Sequence, residues 1–281
     1  MAQPARFPAP ETAAQAALEV DGLSKRYAVA DGELVALEDI SFTVKPGEFL
    51  SVIGPSGCGK TTLFNIVGGL VGGYQGSVKV RGEEITGSHR AIGMVFQEES
   101  AFPWRNAREN VEFPLEIAGR PKDERRARAD RLLKLVGLEG FERRYPAELS
   151  GGMRQRIAIA RTLAFEPEIL LMDEPFAALD EQTRLLLGDK LLQIQQELRQ
   201  TSLLITHNIT EAVQLSDRVL VMTYRPGRVK RMVEIDLPRP RSSEVLESDA
   251  FGHYVAAIWS DLREEASRGM SETEDLARRG H

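Results

Sequence analysis

The stretch "GPSGCGKTT", Gly54–Thr62, follows the apolar run Phe49–Ile53 and opens the helix-compatible segment "KTTLFNIVGG". Gly54, Gly59, Lys60 and Thr61 fill the pattern G-x-x-x-x-G-K-[ST] in a strand–loop–helix setting. Glycine puts no Cβ between the backbone and an anion. The loop formed by Gly54, Pro55, Ser56, Gly57, Cys58 and Gly59 can therefore turn its N–H groups toward a phosphate, and the helix N-terminus behind it adds its dipole. Lys60 then reaches the β- and γ-phosphates, Thr61 takes Mg²⁺ and Thr62 touches the α-phosphate. The plainer reading, a glycine-rich turn that only links strand to helix, does not account for the full pattern in that setting. Cys58 has two readings: a passive loop residue, or a thiol made reactive by the helix N-terminus beside it.

Two further stretches extend the argument from binding to hydrolysis. "ILLMDEP", Ile169–Pro175, sets four apolar residues before two acids, as in a buried parallel strand whose carboxyl end carries the chemistry. Asp173 is placed to hold Mg²⁺ through water, and Glu174 to orient or deprotonate an attacking water. "LSGGMRQR", Leu149–Arg156, offers Ser150 as a helix N-cap, with Gly151 and Gly152 leaving the backbone open. Met153, Ile157 and Ala160 form an apolar stripe behind that outward-facing end. Such an end is a second phosphate site, although taken alone it is one more capped helix.

The order of these motifs resembles that of the ATPase subunits of ATP-binding cassette (ABC) transporters, and the resemblance covers nearly all of residues 17–237. It implies an α/β fold: a P-loop NTPase core, an antiparallel β subdomain and an inserted α-helical subdomain. It also implies that Ser150, Gly151 and Gly152 contact the γ-phosphate held by the loop of a second subunit, so that two chains sandwich two ATP molecules. By the same resemblance Tyr27 stacks on adenine, Gln97 senses Mg²⁺ and joins the core to the helical lobe, and His207 of "LLITHN" reaches the γ-phosphate. Ala177, Leu179 and Asp180 of "AALD" correspond to a loop that crosses the dimer interface. This chain departs from the family pattern at Met153 (often glutamine), Ala177 (often serine) and Asn208 (usually aspartate).

Around these motifs the chain is organised simply. An N-terminal tail over 1–16, rich in Pro and Ala, precedes a cassette over 17–241 with a helical insert at about 98–164. Residues 242–281 provide one helix, packing Tyr254, Ile258 and Trp259, and then a polar tail. Within the insert, Ala129, Leu132, Leu133 and Val136 share one helical face opposite Arg and Lys. The loop residues Phe102, Pro103 and Trp104 either close a local core or line the groove that, in the resembled family, receives a coupling helix of the membrane permease. The segment Ser216–Arg241 narrows the resemblance to the importers of nitrate, sulfonate, taurine and bicarbonate.

Composition sets the outer limits. With 42% hydrophobic and 28% charged residues, the chain reads as an ordinary globular protein. A net charge of −6 gives no basic signal for nucleic acid, and one cysteine among 281 residues excludes internal disulfides. The first residues lack the apolar stretch of a signal peptide, which places the chain in the cytoplasm. The expected partners are integral membrane permease subunits, a second copy or a homologous ATPase, and an extracytoplasmic solute-binding protein within the same system. The expected location is peripheral, on the cytoplasmic face of the inner membrane. Two rival readings keep the ATPase and move it to a soluble task or to a lipid-trafficking complex. A long coiled-coil insertion or a second cassette would mark the soluble one, and the chain has neither.

Overall fold

The computed structural model describes residues 15–29, 32–97, 100–177 and 179–279, so most of the N-terminal tail expected over 1–16 lies outside the described residues. In chain order the elements are β1 (Leu18–Val29), β2 (Gly32–Val44), β3 (Phe49–Ile53), α1 (Lys60–Val67), β4 (Gln75–Val80), β5 (Glu83–Glu84) and β6 (Ile92–Val95). Then follow α2 (Ala107–Ile117), α3 (Lys122–Leu135), α4 (Gly151–Ala164), β7 (Ile169–Asp173), α5 (Glu181–Leu198), β8 (Thr201–Ile205), α6 (Ile209–Leu215), β9 (Arg218–Met222), β10 (Val229–Glu234) and α7 (Asp249–Arg279).

Two sheets result. The first runs β2-β1-β4-β5 and is antiparallel throughout; the second runs β10-β9-β3-β8-β7-β6 and is parallel except for β10. The strands β3, β7 and β8 are buried at every position, which is why they read as mostly apolar runs, broken by Ser51, Asp173, Thr201 and Ser202, rather than as alternating ones. Their side chains still alternate between faces. Leu50 and Val52, with Ile169 and Leu171, join a core shared with β1, β2 and α1, whereas Phe49, Leu170, Met172 and Leu204 join the core of the helical insert. The sheet thus stands between two apolar masses and presents the carboxyl ends of β3, β6, β7 and β8 at one edge.

The insert follows the expected face. Ala129, Leu132, Leu133 and Val136 are all buried, together with Ile157 and Ala160 of α4. The antiparallel subdomain and the inserted helices match the expected fold class.

The C-terminal segment departs from expectation in two ways. The helix continues through the stretch expected as a polar tail and ends at Arg279. Trp259 is 58% exposed, because the buried stripe of α7 is Phe251, Ile258 and the half-buried Tyr254, Val255 and Leu262, and Trp259 lies about 100° around the helix from Ile258. Glu265, on the same stripe, is nearly inaccessible and moors the helix: its carboxylate accepts the Tyr224 N–H at 3.0 Å and the Lys230 ammonium at 2.7 Å. Burial pushes that carboxyl up, but these donors and Arg268 outweigh it and hold it below the usual range.

The two side chains make the packing testable. Ile258→Ala should cost about 2–5 kcal/mol in a denaturant titration. Trp259→Ala should change stability by less than about 0.5 kcal/mol, and the reverse order would place the helix on the wrong face.

Candidate nucleotide site

The phosphate loop leaves β3 at Gly54 and enters α1 at Lys60. Gly57 and Gly59 have φ of 74° and 98°, values that side-chain-bearing residues rarely adopt, and a Cβ on Gly59 would stand 2.7 Å from the Ala36 carbonyl oxygen. The ammonium of Lys60 is buried, 8% of the residue being exposed, and donates to the Gly54 and Pro55 carbonyls at 2.8 and 2.9 Å. A cavity of about 230 Å³ opens over this loop, lined in part by Tyr27, Lys60, Thr61 and Thr62. The structure therefore brings the expected adenine-stacking ring and the expected phosphate ligands around one space. Among the described residues no acidic one lines it.

Cys58 is a correction to one of its two readings. The thiol is fully buried among core residues under the loop, and burial pushes its pKa up, with Lys60 only partly offsetting the effect. It belongs to the cradle through its backbone, not as a reactive group.

On the adjoining strands, register assembles the acids. Asp173 pairs with Ile205 across β7 and β8, and the Glu174 N–H donates to the Ile205 carbonyl at 2.8 Å. Glu174 sits at φ 44°, a left-handed conformation that costs a non-glycine residue about 1–3 kcal/mol and gathers at functional sites. His207, two residues beyond β8, brings its Nδ1 to 3.1 Å from a Glu174 carboxylate oxygen. Asp173 is pushed up to about 6, first by burial and then by the charge of Glu174, while Lys60 opposes the shift. Among the described residues no three acidic, histidine or cysteine groups cluster as a metal cage. A hydroxyl such as that of Thr61 and a carboxylate such as that of Asp173 are the oxygen donors a hard cation takes, so the residues present fit Mg²⁺. Gln97 is exposed two residues past β6, beyond the same sheet edge, since Val95 pairs with Met172.

Other expected residues sit apart from the cavity. Ser150 caps α4, its hydroxyl accepting the Met153 N–H at 3.3 Å, and neither Ser150, Gly151 nor Gly152 lines the space over Lys60. Gly152 is buried where a Cβ would press on Thr183 and Leu179 at 3.3 and 3.4 Å. Asp180 caps α5 by accepting from the Thr183 N–H and hydroxyl at 2.9 and 2.7 Å; Leu179 and Ala177 are half-buried beside it.

Two features of this region were not read from the sequence. Asn208 caps α6, its side chain accepting the Glu211 N–H at 3.1 Å, so the amide performs the capping that a carboxylate would. Glu211 itself is buried and hydrogen-bonded by the Thr206 hydroxyl; burial pushes its carboxyl up to about 7, against the pull of Thr206, Arg184 and His207. Asn110, fully buried in α2, is the other. It accepts the Phe102 N–H at 2.7 Å and donates to the Phe102, Arg105 and Asn106 carbonyls at 3.2, 2.9 and 3.1 Å, pinning the whole aromatic loop by its backbone. Within that loop Phe102 packs edge-on against Phe113 at 4.9 Å and stacks on Trp104 at 5.5 Å, while Trp104 stays 72% exposed. Phe102 thus serves the local core, and Trp104 faces outward. An N-cap pattern and a lone asparagine were the only sequence signals for these roles.

Residues 37–177 match the family model described as ABC transporter. The chain belongs to the ABC transporter family. As a cassette of that family it is an ATPase. It is 42% identical to the nitrate import ATP-binding protein of Synechocystis sp., covering 92% of this chain and 99% of that one. It is 48% identical to an aliphatic sulfonates import ATP-binding protein of Bacillus licheniformis over 73% of this chain and 80% of that one. A dimeric ATP-binding cassette in a post-hydrolysis state with ADP and Pi is 33% identical and superposes with a TM-score of 0.69, over 79% of this chain and all of the other.

The burial of Cys58 yields a direct check. A maleimide should leave the folded protein unlabelled with or without nucleotide and should react fully once the chain is unfolded in denaturant; rapid labelling of the native thiol would contradict its place under the loop.

Proposed function

We propose that this chain is the ATP-hydrolysing subunit of an importer that takes up a small anionic solute through separate membrane permease subunits. It works on the cytoplasmic face of the inner membrane, paired with a second copy or a homologous ATPase. The observation that carries the reading is the contact between His207 and Glu174 at 3.1 Å, at the sheet edge where the Lys60 loop opens.

The chemistry follows from those residues. Lys60, the loop N–H groups and the α1 N-terminus hold the phosphates of ATP, with Tyr27 beneath the adenine. Thr61 and Asp173 would hold Mg²⁺, which when bound would supply positive charge to the phosphate oxygens. Glu174 orients and deprotonates the attacking water, while His207 fixes the Glu174 carboxylate and senses the γ-phosphate. Gln97 reports on the same site to the helical insert.

The exposed cap at Ser150, remote from its own chain's cavity, supports a sandwich in which Ser150, Gly151 and Gly152 close the partner's nucleotide, with Ala177, Leu179 and Asp180 along the seam. The relatives named for nitrate and for aliphatic sulfonates stand at comparable identity, which supports an anion as cargo and leaves its recognition to an extracytoplasmic solute-binding protein. No helix among the described residues is long and apolar enough to cross a membrane, so the passage itself requires the permease.

Two substitutions test the reading. Glu174→Gln should lower kcat by about 10²- to 10⁴-fold and accumulate a Mg-ATP dimer on size-exclusion chromatography. Turnover at the wild-type rate would remove Glu174 from the chemistry, and a nucleotide-bound variant that stays monomeric even with its permease would reject the sandwich. Trp104→Ala should keep basal ATP hydrolysis and lose solute-stimulated hydrolysis in the reconstituted transporter, because the exposed ring is the anchor offered to the permease. Normal stimulation in that variant would end the assignment of Phe102, Pro103 and Trp104 to the coupling groove.

A further inference from the structure

The turn between β9 and β10 does more than reverse the chain. Its ends are tied by the Thr223 N–H donating to the Arg228 carbonyl at 3.0 Å and the Arg228 N–H to the Thr223 hydroxyl at 2.9 Å, and that hydroxyl donates to the Pro226 carbonyl at 2.8 Å. So braced, the turn docks on two other segments. The Gly227 N–H donates to the Ala36 carbonyl at 3.1 Å, and the Glu38 N–H to the Gly227 carbonyl at 2.9 Å, so the turn pairs beside β2 through a single parallel bridge at Leu37. A Cβ on Gly227 would stand 2.1 Å from the Cys58 carbonyl oxygen, so the turn's backbone lies directly against the phosphate loop. Behind it, Glu265 of α7 holds the Tyr224 N–H.

This docking delivers one side chain to the nucleotide cavity. Arg225 donates from Nε to the Gly57 carbonyl at 3.0 Å, and its guanidinium covers Gly57 so closely that a Cβ there would meet Nη2 at 2.9 Å. The same side chain lines the cavity with Tyr27, Lys60, Thr61 and Thr62. Its nearest ring is Tyr224, 6.0 Å away, and among the described residues no carboxylate pairs with it. A cavity lined by two cations and, among the described residues, by no acid is complementary to a polyanion. A guanidinium with one N–H spent on a carbonyl still has donors at both Nη atoms, in the planar fork that fits phosphate oxygens.

We infer that Arg225 is a further nucleotide-binding residue of this ATPase: its Nε fixes the Gly57 peptide of the phosphate loop and its Nη groups bind the polyphosphate in the cavity that Lys60 also lines. The inference rests on the nucleotide site proposed above and adds a ligand from outside the loop. ATP and ADP both carry the diphosphate it holds. The contact is therefore made alike before and after hydrolysis, and its loss appears as weaker binding rather than slower chemistry.

The test compares wild type with Arg225→Ala, Arg225→Lys and Lys60→Ala. Arg225→Ala should raise the KM for Mg-ATP and the Kd for Mg-ADP about tenfold, with kcat within about twofold of wild type, as expected for removing one charge-assisted contact. Arg225→Lys keeps the charge without the fork and should recover part of that loss. Arg225 is exposed, so both variants should fold as the wild type does, which circular dichroism and melting without nucleotide will check. Unchanged KM and Kd in Arg225→Ala would overturn the inference, as would a fall in kcat at unchanged KM. If Lys60→Ala loses nucleotide while Arg225→Ala binds normally, only Arg225 has been misassigned; if both bind as the wild type does, the nucleotide site itself has been placed wrongly.

Discussion

A lysine ammonium withdrawn from water must find compensation for its lost hydration, and in this chain Lys60 finds it in two loop carbonyls and in the neighbouring Asp173. Much of the architecture can be understood as the means of keeping that arrangement in place. The loop carbonyls stand where they do because Gly57 and Gly59 adopt conformations that other residues resist. Asp173 arrives because β7 and β8 run parallel to β3 in fixed register, and those strands hold register because apolar cores press on both faces of the sheet. The site is thus a cation and an anion, each partly desolvated, held apart by a rigid sheet. A polyphosphate with its counter-ion satisfies both at once.

The parts of this that were legible in the sequence are those where chemistry requires a residue type at a fixed spacing. Gly54, Gly59, Lys60 and Thr61 declared the loop, and the uninterrupted apolar run Ile169–Met172 before Asp173 declared a buried parallel strand. The helical face from Ala129 to Val136 was legible for the same reason: periodicity is written locally. What escaped depends on which way one residue points. Trp259 looked like core because it is large and apolar, yet the stripe of α7 passes through Ile258 and Glu265 instead. Cys58 was open to a reactive reading because a helix N-terminus lies beside it, whereas its thiol turns inward. Arg225 lies more than 160 residues from the loop it touches, in a turn whose docking only the tertiary fold creates.

The departures from the family pattern find physical accounts of unequal strength. Asn208 still caps α6, so the exchange of carboxylate for amide keeps the hydrogen bond and gives up a charge near the helix N-terminus. Met153 gives its N–H to Ser150 and leans its side chain on the insert core, neither of which requires glutamine. At Ala177 the backbone N–H donates to the Glu174 carbonyl at 3.1 Å, and nothing among the described residues explains the loss of a hydroxyl there.

The four hydrogen bonds of Asn110 grip the peptide groups of the aromatic loop and ask nothing of the side chains at Pro103 or Trp104. Shape and content are therefore separately adjustable in that loop, as in a socket whose fitting can be exchanged while its frame stays bolted. One buried amide in this way lets single substitutions change what the loop presents without disturbing the fold that presents it.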